Sequence, residues 1–300
     1  MRYITTADID SLHITPEQCV AWVREAFCMK YDAQLPPKVS LHPQGTDFFN
    51  TMPCLLPPQY NRFGVKVVSR IAGSKPSLHS DLLLYEASTG RLLSFMDADW
   101  ITQMRTGAVA ALAIQTLQSG KASVYGFVGL GSTAMATMTC LLPLLQGRPV
   151  VCKLLRYKQQ AEQFVSLFQE HSNVRFEIVD TPEALVADTD VLVSAVTEMP
   201  DAFCADDSLY KEGMLLVPIH TRGFQHCDLS FDSVFADDRG HVCGFKYFNQ
   251  FRQFHELSEV LLGKHVGRTS DKERIIAYNI GLGLHDIYYA HQIYNLLQKE

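Results

Sequence analysis

Arg105 has the least ordinary surroundings in this sequence. It lies in "DADWITQMRTGAVAALAIQTLQSG", residues 97–120. At helical spacing it shares a stripe with Ile101, Ala108, Val109 and Leu112. A guanidinium on an apolar face is costly unless something neutralises it. The neutraliser is either an acid of the chain, with Asp81, Glu86 and Asp97 as candidates, or a small carboxylate from outside. Arginine grips the latter through two parallel hydrogen bonds. Lys66 is a second cation in an apolar setting, between valines in "FGVKVVSR". It either guards an exposed sheet edge or contacts a substrate anion. Lys38, after Pro36-Pro37, is a weaker case of the same kind. His220 ends "LLVPIH", at the carboxyl end of a predicted parallel strand, where open α/β sheets bind ligands. An imidazole there titrates near neutral pH and suits general acid–base work.

A different chemistry is suggested by "GFVGLGSTAMATM", residues 126–138. Gly129 allows a tight turn after an apolar strand, and Gly131 lets backbone approach a pyrophosphate. Ala134 is small enough for helix–strand packing. The N–H groups of Ser132 and Thr133, at the start of a helix, would receive the phosphates. The next strand ends "KLLRYKQQ" with no acid to read a ribose. Arg156, with Lys158 nearby, suits a 2′-phosphate, so the expected cofactor is NAD(P), leaning to NADP. The alternatives are a glycine turn without ligand and an arginine that only begins a loop.

Composition narrows the partners. The 300 residues carry a net charge of −6 without a basic tract, so nucleic acid is not an expected partner. The eight cysteines include no C-x-x-C pair. His241-x-Cys243 and His226-Cys227 are too isolated for zinc, so free thiols and no metal are expected. The start of the chain lacks an apolar secretory stretch, which predicts a cytoplasmic protein. Residues 122–147 are uncharged and long enough to span a bilayer, but their glycines and Pro143 favour a buried strand–turn–helix and no membrane partner.

The elements that must position these groups follow from periodicity and capping. Thr15, Pro16 and Gln18 open a helix over about 16–30. Residues 38–96 read as strands, with a turn at Ser88-Thr89-Gly90. A helix of about 20 residues follows, capped by Asp97 or Asp99. From Lys121 strand and helix alternate, which predicts a parallel sheet wound on both sides. Ser270 and Glu273 resemble a capping box and predict a long final helix. The predicted fold class is α/β. A Rossmann-type dinucleotide-binding domain over 120–269 joins a mixed α+β domain over 1–119 and 270–300. Val39, Leu41, Phe48, Phe49 and Met52 belong either to a substrate pocket or to a core.

With these residues assembled, the chain resembles the ornithine cyclodeaminase/mu-crystallin family along nearly its whole length. The resemblance rests on "GVKVVS", "LLLYEASTGRLLSFMDADWITQMRTGAVAALA", "GFVGLGSTA" and "ELSEVLLG…GRTSDKERIIAYNIGLGLHD". It implies a homodimer and hydride transfer at the α-carbon of a small amino or imino acid. It also implies that Arg105 and Lys66 hold the substrate carboxylate, with Lys38 and Asn50 lining the substrate site. Thr106, Ser132 and Thr133 would contact the cofactor, Arg156 its ribose, and Thr197 and Asn279 the nicotinamide end, with His220 as a further cofactor-binding candidate. Three departures stand out. Lys38 stands where an arginine is expected, and Asn50 where cyclodeaminases carry an acid. The loop after "LLVPI" reads "HTRGFQHCD", with His220 and Arg222 where cyclodeaminases carry a catalytic aspartate and Asp228 several residues later. The resemblance therefore implies an oxidoreductase first. Ornithine cyclodeamination and cofactor-dependent ligand binding without turnover are the alternatives.

Overall fold

The computed structural model describes residues 1–196, 199, 202–220 and 223–299. It divides into two compact units, Met1–Arg105 with Gly281–Glu300, and Thr106–Ile280.

The first unit is built on a six-stranded sheet ordered β1-β6-β5-β4-β3-β2. Its strands are β1 (Arg2–Ile4), β2 (Val39–Leu41), β3 (Phe48–Leu55), β4 (Arg62–Arg70), β5 (Leu78–Glu86) and β6 (Arg91–Asp97). All pairs are antiparallel except β1 with β6. Strand periodicity decides which side chains go inward. In β4 the buried residues are Gly64, Lys66 and Val68; Ser80, Leu82 and Leu84 of β5 are buried with the same alternation. Helices α1 (Thr6–Ser11) and α2 (Pro16–Cys28) come between β1 and β2 in the chain. The capping box of Thr15 and Gln18 is present, and a second one, Thr5 with Asp8, starts α1.

The helix that covers the inner face of this sheet is the last of the chain, α9 (Gly283–Leu296). Two glycines let it come close. A Cβ on Gly64 would stand 2.6 Å from Ile287 Cδ1, and one on Gly283 would stand 3.0 Å from the Met52 carbonyl oxygen. Trp22 of α2 meets Tyr289 of α9 edge-on at 5.1 Å.

Helix α3 (Asp99–Leu117) crosses the boundary between the units, which falls after Arg105. The second unit then alternates strand and helix through β7 (Val124–Val128), α4 (Ser132–Leu144), β8 (Val150–Leu155), α5 (Gln160–Phe168), β9 (Val174–Val179), α6 (Pro182–Val186) and β10 (Val191–Ser194). It continues through β11 (Leu215–Pro218), β12 (Ser233–Ala236), α7 (Arg239–Val242), β13 (Phe254–Glu256), α8 (Leu257–Leu261) and β14 (Ile275–Tyr278). The eight strands run β13-β12-β14-β11-β10-β7-β8-β9 with every pair parallel. The order reverses direction between β7 and β10, the topological switch point where such sheets bind ligands.

The end of the chain corrects the long helix expected after Ser270. Glu273 does not cap a helix. Its carboxylate takes hydrogen bonds from the Thr269 N–H and hydroxyl and from the Ser233 hydroxyl. The apolar run that follows inserts between β11 and β12 as β14 and is buried throughout. Residues 270–280 thus lie in the parallel-sheet unit, and α3 is shared by the two units rather than held whole by the first.

Candidate active site

The buried face of β4 carries an unusual group. Lys66 is fully buried on an inner strand, so it is not an edge guard. Its ammonium donates to Asp286 Oδ1 at 2.8 Å. Arg105, 5% exposed near the middle of α3, donates through Nε to the same oxygen, also at 2.8 Å. Asp286 is fully buried in the first turn of α9, where the positive end of the helix dipole favours an anion. Its second oxygen, Oδ2, is buried without a hydrogen-bond partner among the described residues.

Arg105 therefore has a built-in acid, and it is none of Asp81, Glu86 and Asp97. The idea that only an incoming acid neutralises it does not hold. One carboxylate, however, serves two cations, so the group carries a surplus positive charge while Lys66 holds its proton. Among the described residues the two Nη groups of Arg105 donate to no partner. Space for them depends on Gly281, which has a φ of +98°. A Cβ there would stand 2.5 Å from Arg105 Nη1. Burial pushes the Lys66 ammonium down to about 7. The Arg105 charge deepens the fall, Asp286 opposes it, and Lys38 adds a smaller depression.

Lys38 is half-buried before β2. Asn50 stands opposite Val68 in the β3–β4 ladder, diagonal to Lys66, and its buried Oδ1 has no partner among the described residues. Met52, opposite Lys66, is core. Val39, Leu41 and Phe49 are instead exposed, at 55%, 63% and 42%, so they are not core.

In the second unit the glycine turn sits between β7 and α4, at the switch point. Gly129 has a φ of +77°, and a Cβ there would stand 2.7 Å from the backbone of Ala195, just past the end of β10. Around Gly131 a Cβ would meet nothing within 4 Å. Gly131 is the N-cap of α4, and no side chain among the described residues caps that helix. The N–H groups of Ser132 and Thr133 thus start a helix in open surroundings, while Ala134 is fully buried. This is a cradle that a pyrophosphate fits. Gly107 brings α3 against α4: its Cβ would stand 2.4 Å from the Ala136 carbonyl carbon. Thr106 is half-buried beside it.

At the carboxyl ends of β10 and β11, Ser194 Oγ and His220 Nε2 are 2.6 Å apart. Ser194 is fully buried, so it fixes one nitrogen of the ring. Asn279, 3% exposed after β14, donates from its side chain to the Ala277 carbonyl and from its backbone to the Pro218 carbonyl. Arg156, just past β8, is paired by Nε to Asp180 at 2.8 Å and by Nη1 to Glu162, with all three side chains well exposed. Thr197 and Arg222 lie outside the described residues. Asp228 meets the carboxyl end of β14 through Tyr278, the last residue of that strand. It is fully buried, with Oδ1 accepting from the Tyr278 hydroxyl at 2.8 Å.

Sequence reasoning missed Asp286, Ser194 and Gly281. Asp286 had a signal: it is an acid among Leu284, Ile287 and Ala290, the same anomaly that singles out Arg105.

The comparisons agree with this picture. The profile of the ornithine cyclodeaminase/mu-crystallin family matches residues 3–300. Alanine dehydrogenase of Archaeoglobus fulgidus is 28% identical over 317 aligned positions, covering 99% of this chain and 95% of that protein. Nodulation efficiency protein NfeD of Rhizobium meliloti is 26% identical, covering 88% and 84%. Among solved structures, Δ1-pyrroline-2-carboxylate reductase of Thermococcus litoralis, in complex with NADH and L-proline, superposes with a TM-score of 0.87. It is 20% identical and covers 100% of this chain and 98% of that one. An archaeal alanine dehydrogenase dimer with bound NAD gives 0.83 at 24% identity, covering 99% and 96%.

Proposed function

Because the chain belongs to the ornithine cyclodeaminase/mu-crystallin family, we propose that it is an NAD(P)-dependent oxidoreductase acting at the α-carbon of a small amino or imino acid. The observation that carries this reading is the buried Lys66–Asp286–Arg105 group, which has two cations against one carboxylate and the Arg105 Nη edge left for an anion. The glycine turn supports the cofactor half of the reading. Relatives of similar length act on alanine and on Δ1-pyrroline-2-carboxylate, both of that substrate class.

In this reading a bound nicotinamide dinucleotide supplies a hydride acceptor or donor. The chain's own residues do the rest. Arg105 and Lys66 fix the substrate carboxylate and so fix the α-carbon relative to it. Positioning of this kind is worth about 7–11 kcal/mol when geometry is good. Ser132, Thr133 and the turn at Gly129–Gly131 bind the dinucleotide phosphates, with Thr106 and Asn279 as further contacts. His220, steadied by Ser194, holds or moves a proton at its imidazole. The preference for NADP rests on Arg156 and on the release of that arginine from Asp180 and Glu162, so the two dinucleotides are to be compared directly.

A homodimer is part of the same proposal. Its support is edge strand β2, which leaves Val39 and Leu41 exposed on an unpaired rim. Light scattering at twice 33.7 kDa supports it, and a monomer mass contradicts it.

The test is a screen of small amino acids, and of keto acids with amines, against NAD and NADP, following absorbance at 340 nm and ammonia together. A change in absorbance identifies the oxidoreductase. Ammonia without net absorbance change identifies cyclodeamination, and silence in both contradicts each.

A further inference from the structure

We infer that Asp286 is the positioning residue of this site: one oxygen holds both Lys66 and Arg105 Nε, which turns the Nη edge of Arg105 into the anion seat and makes the seat's charge depend on Lys66. The inference rests on the oxidoreductase reading above, and it adds a residue that contacts neither substrate nor cofactor.

Two donors at 2.8 Å on a single buried oxygen fix the ammonium and the guanidinium relative to each other. Nε is the one guanidinium nitrogen that donates to Asp286 among the described residues, so that carboxylate does not hold the end-on edge formed by the two Nη groups. A carboxylate matches that edge in a bidentate grip. Three full charges sum to +1, and an incoming anion brings the group to zero. When Lys66 loses its proton, Asp286 cancels Arg105 and the seat loses its attraction before any anion arrives.

The groups that face Lys66 come from every neighbouring element. They are Arg105 from α3, Asp286 from α9 and Lys38 from the segment before β2. Cys54 of β3 is also near; burial, with a contribution from Asp286, pushes its thiol up to about 12, so it stays neutral. His285, next to Asp286 on α9, packs edge-on against Phe27. Asp286 is the only acid in this set, so its removal acts on Lys66 in one direction: the ammonium loses its stabilising neighbour and gives up its proton at lower pH.

The test uses the full-length protein and two readouts. In the first, lysine 13Cε resonances are titrated by NMR, with Lys66→Gln identifying the Lys66 signal. Asp286→Asn is expected to move the Lys66 titration down by at least one pH unit. In the second, KM for whichever amino or imino acid is turned over is followed against pH. In the wild type KM rises as Lys66 deprotonates, by up to about tenfold per pH unit. That limb moves down with Lys66 in Asp286→Asn and disappears in Lys66→Gln, while the dinucleotide Kd stays within twofold in both. A folded Asp286→Asn protein whose lysine titration and KM limb are unmoved overturns the inference. If Asp286→Asn does not fold, Lys66→Gln decides it: retention of the limb overturns it and loss supports it. If no amino or imino acid is turned over by the wild type, the oxidoreductase reading fails, and the NMR titration still decides the role of Asp286.

Discussion

At the scale of single residues, two cations on apolar faces locate the site. Arg105 to methionine keeps the length and the apolar contacts of the side chain but removes the anion seat. kcat/KM for the amino or imino acid is expected to fall about 100-fold or more, with dinucleotide affinity little changed; steady-state kinetics beside a fluorescence titration checks both. His220→Ala is expected to lower kcat by about 100-fold or more, again with a smaller effect on dinucleotide binding. Equal turnover in that variant removes His220 from proton transfer. Both cations were legible in the sequence because a charge at an apolar position breaks a pattern. Their partner was not legible, because it lies 181 residues beyond Arg105, and helical spacing speaks only of neighbours along one helix. The candidates weighed for Arg105 were local acids. The one used arrives with α9, and only the tertiary fold brings it there.

At the scale of elements, close approach is what assembles the group. Gly64 and Gly283 let α9 lie on the sheet, and Gly281 leaves room for the guanidinium. Gly281→Ala is strained twice, by a left-handed φ of +98° and by a Cβ 2.5 Å from Arg105 Nη1. It is expected to cost about 1–3 kcal/mol in denaturant unfolding. It is also expected to raise KM for the anionic substrate more than it lowers kcat; a stability loss with unchanged KM contradicts the steric account. From α2 to β11 the strands and helices follow from apolar periodicity and strand–helix alternation, with Pro at N1 and a Thr cap marking α2 and α6, all of which act within a few residues; β1 and α1 were not read. The failure lies at 270–282. There, Ser and Glu at capping-box spacing preceded an apolar run, but Glu273 is held by Thr269 and Ser233. A short, fully buried parallel strand carries no periodicity that separates it from helix. What selects strand for β14 is the slot between β11 and β12, and no local signal reports that slot.

At the scale of the whole molecule, the buried titratable groups tie stability to pH. Burial raises the Asp228 carboxyl to about 7, with the Tyr278 hydroxyl bond partly opposing it. A raised carboxyl means that the folded protein holds a proton the unfolded chain has already released. The stabilisation it gives is present at low pH and is lost as pH rises from about 4 to about 7, with a slope of up to about 1.4 kcal/mol per pH unit. Asp228→Asn keeps an acceptor for Tyr278 without the charge. It is expected to be more stable than the wild type at pH 7.5, with the difference shrinking towards pH 4.5, by denaturant unfolding at both values. A constant difference across that range contradicts the assignment. The fold class was legible as a whole, because a sheet-first, βαβ-second order with a glycine turn at the first crossover leaves few arrangements. The unit boundaries were less so: α3 and the stretch before Gly281 run from one unit into the other without a break in composition.

The central claim is that the surplus charge of the Lys66–Asp286–Arg105 group seats the carboxylate of a small amino or imino acid for nicotinamide-dependent redox chemistry. The most direct measurement is the 340-nm assay with NAD and NADP over small amino acids and imines, run on the wild type and on Arg105→Met side by side. A wild-type signal that falls about 100-fold in the variant, with dinucleotide binding intact, is the predicted result. A wild type that changes nothing at 340 nm with any of these compounds, or a variant that turns over as fast as the wild type, contradicts it.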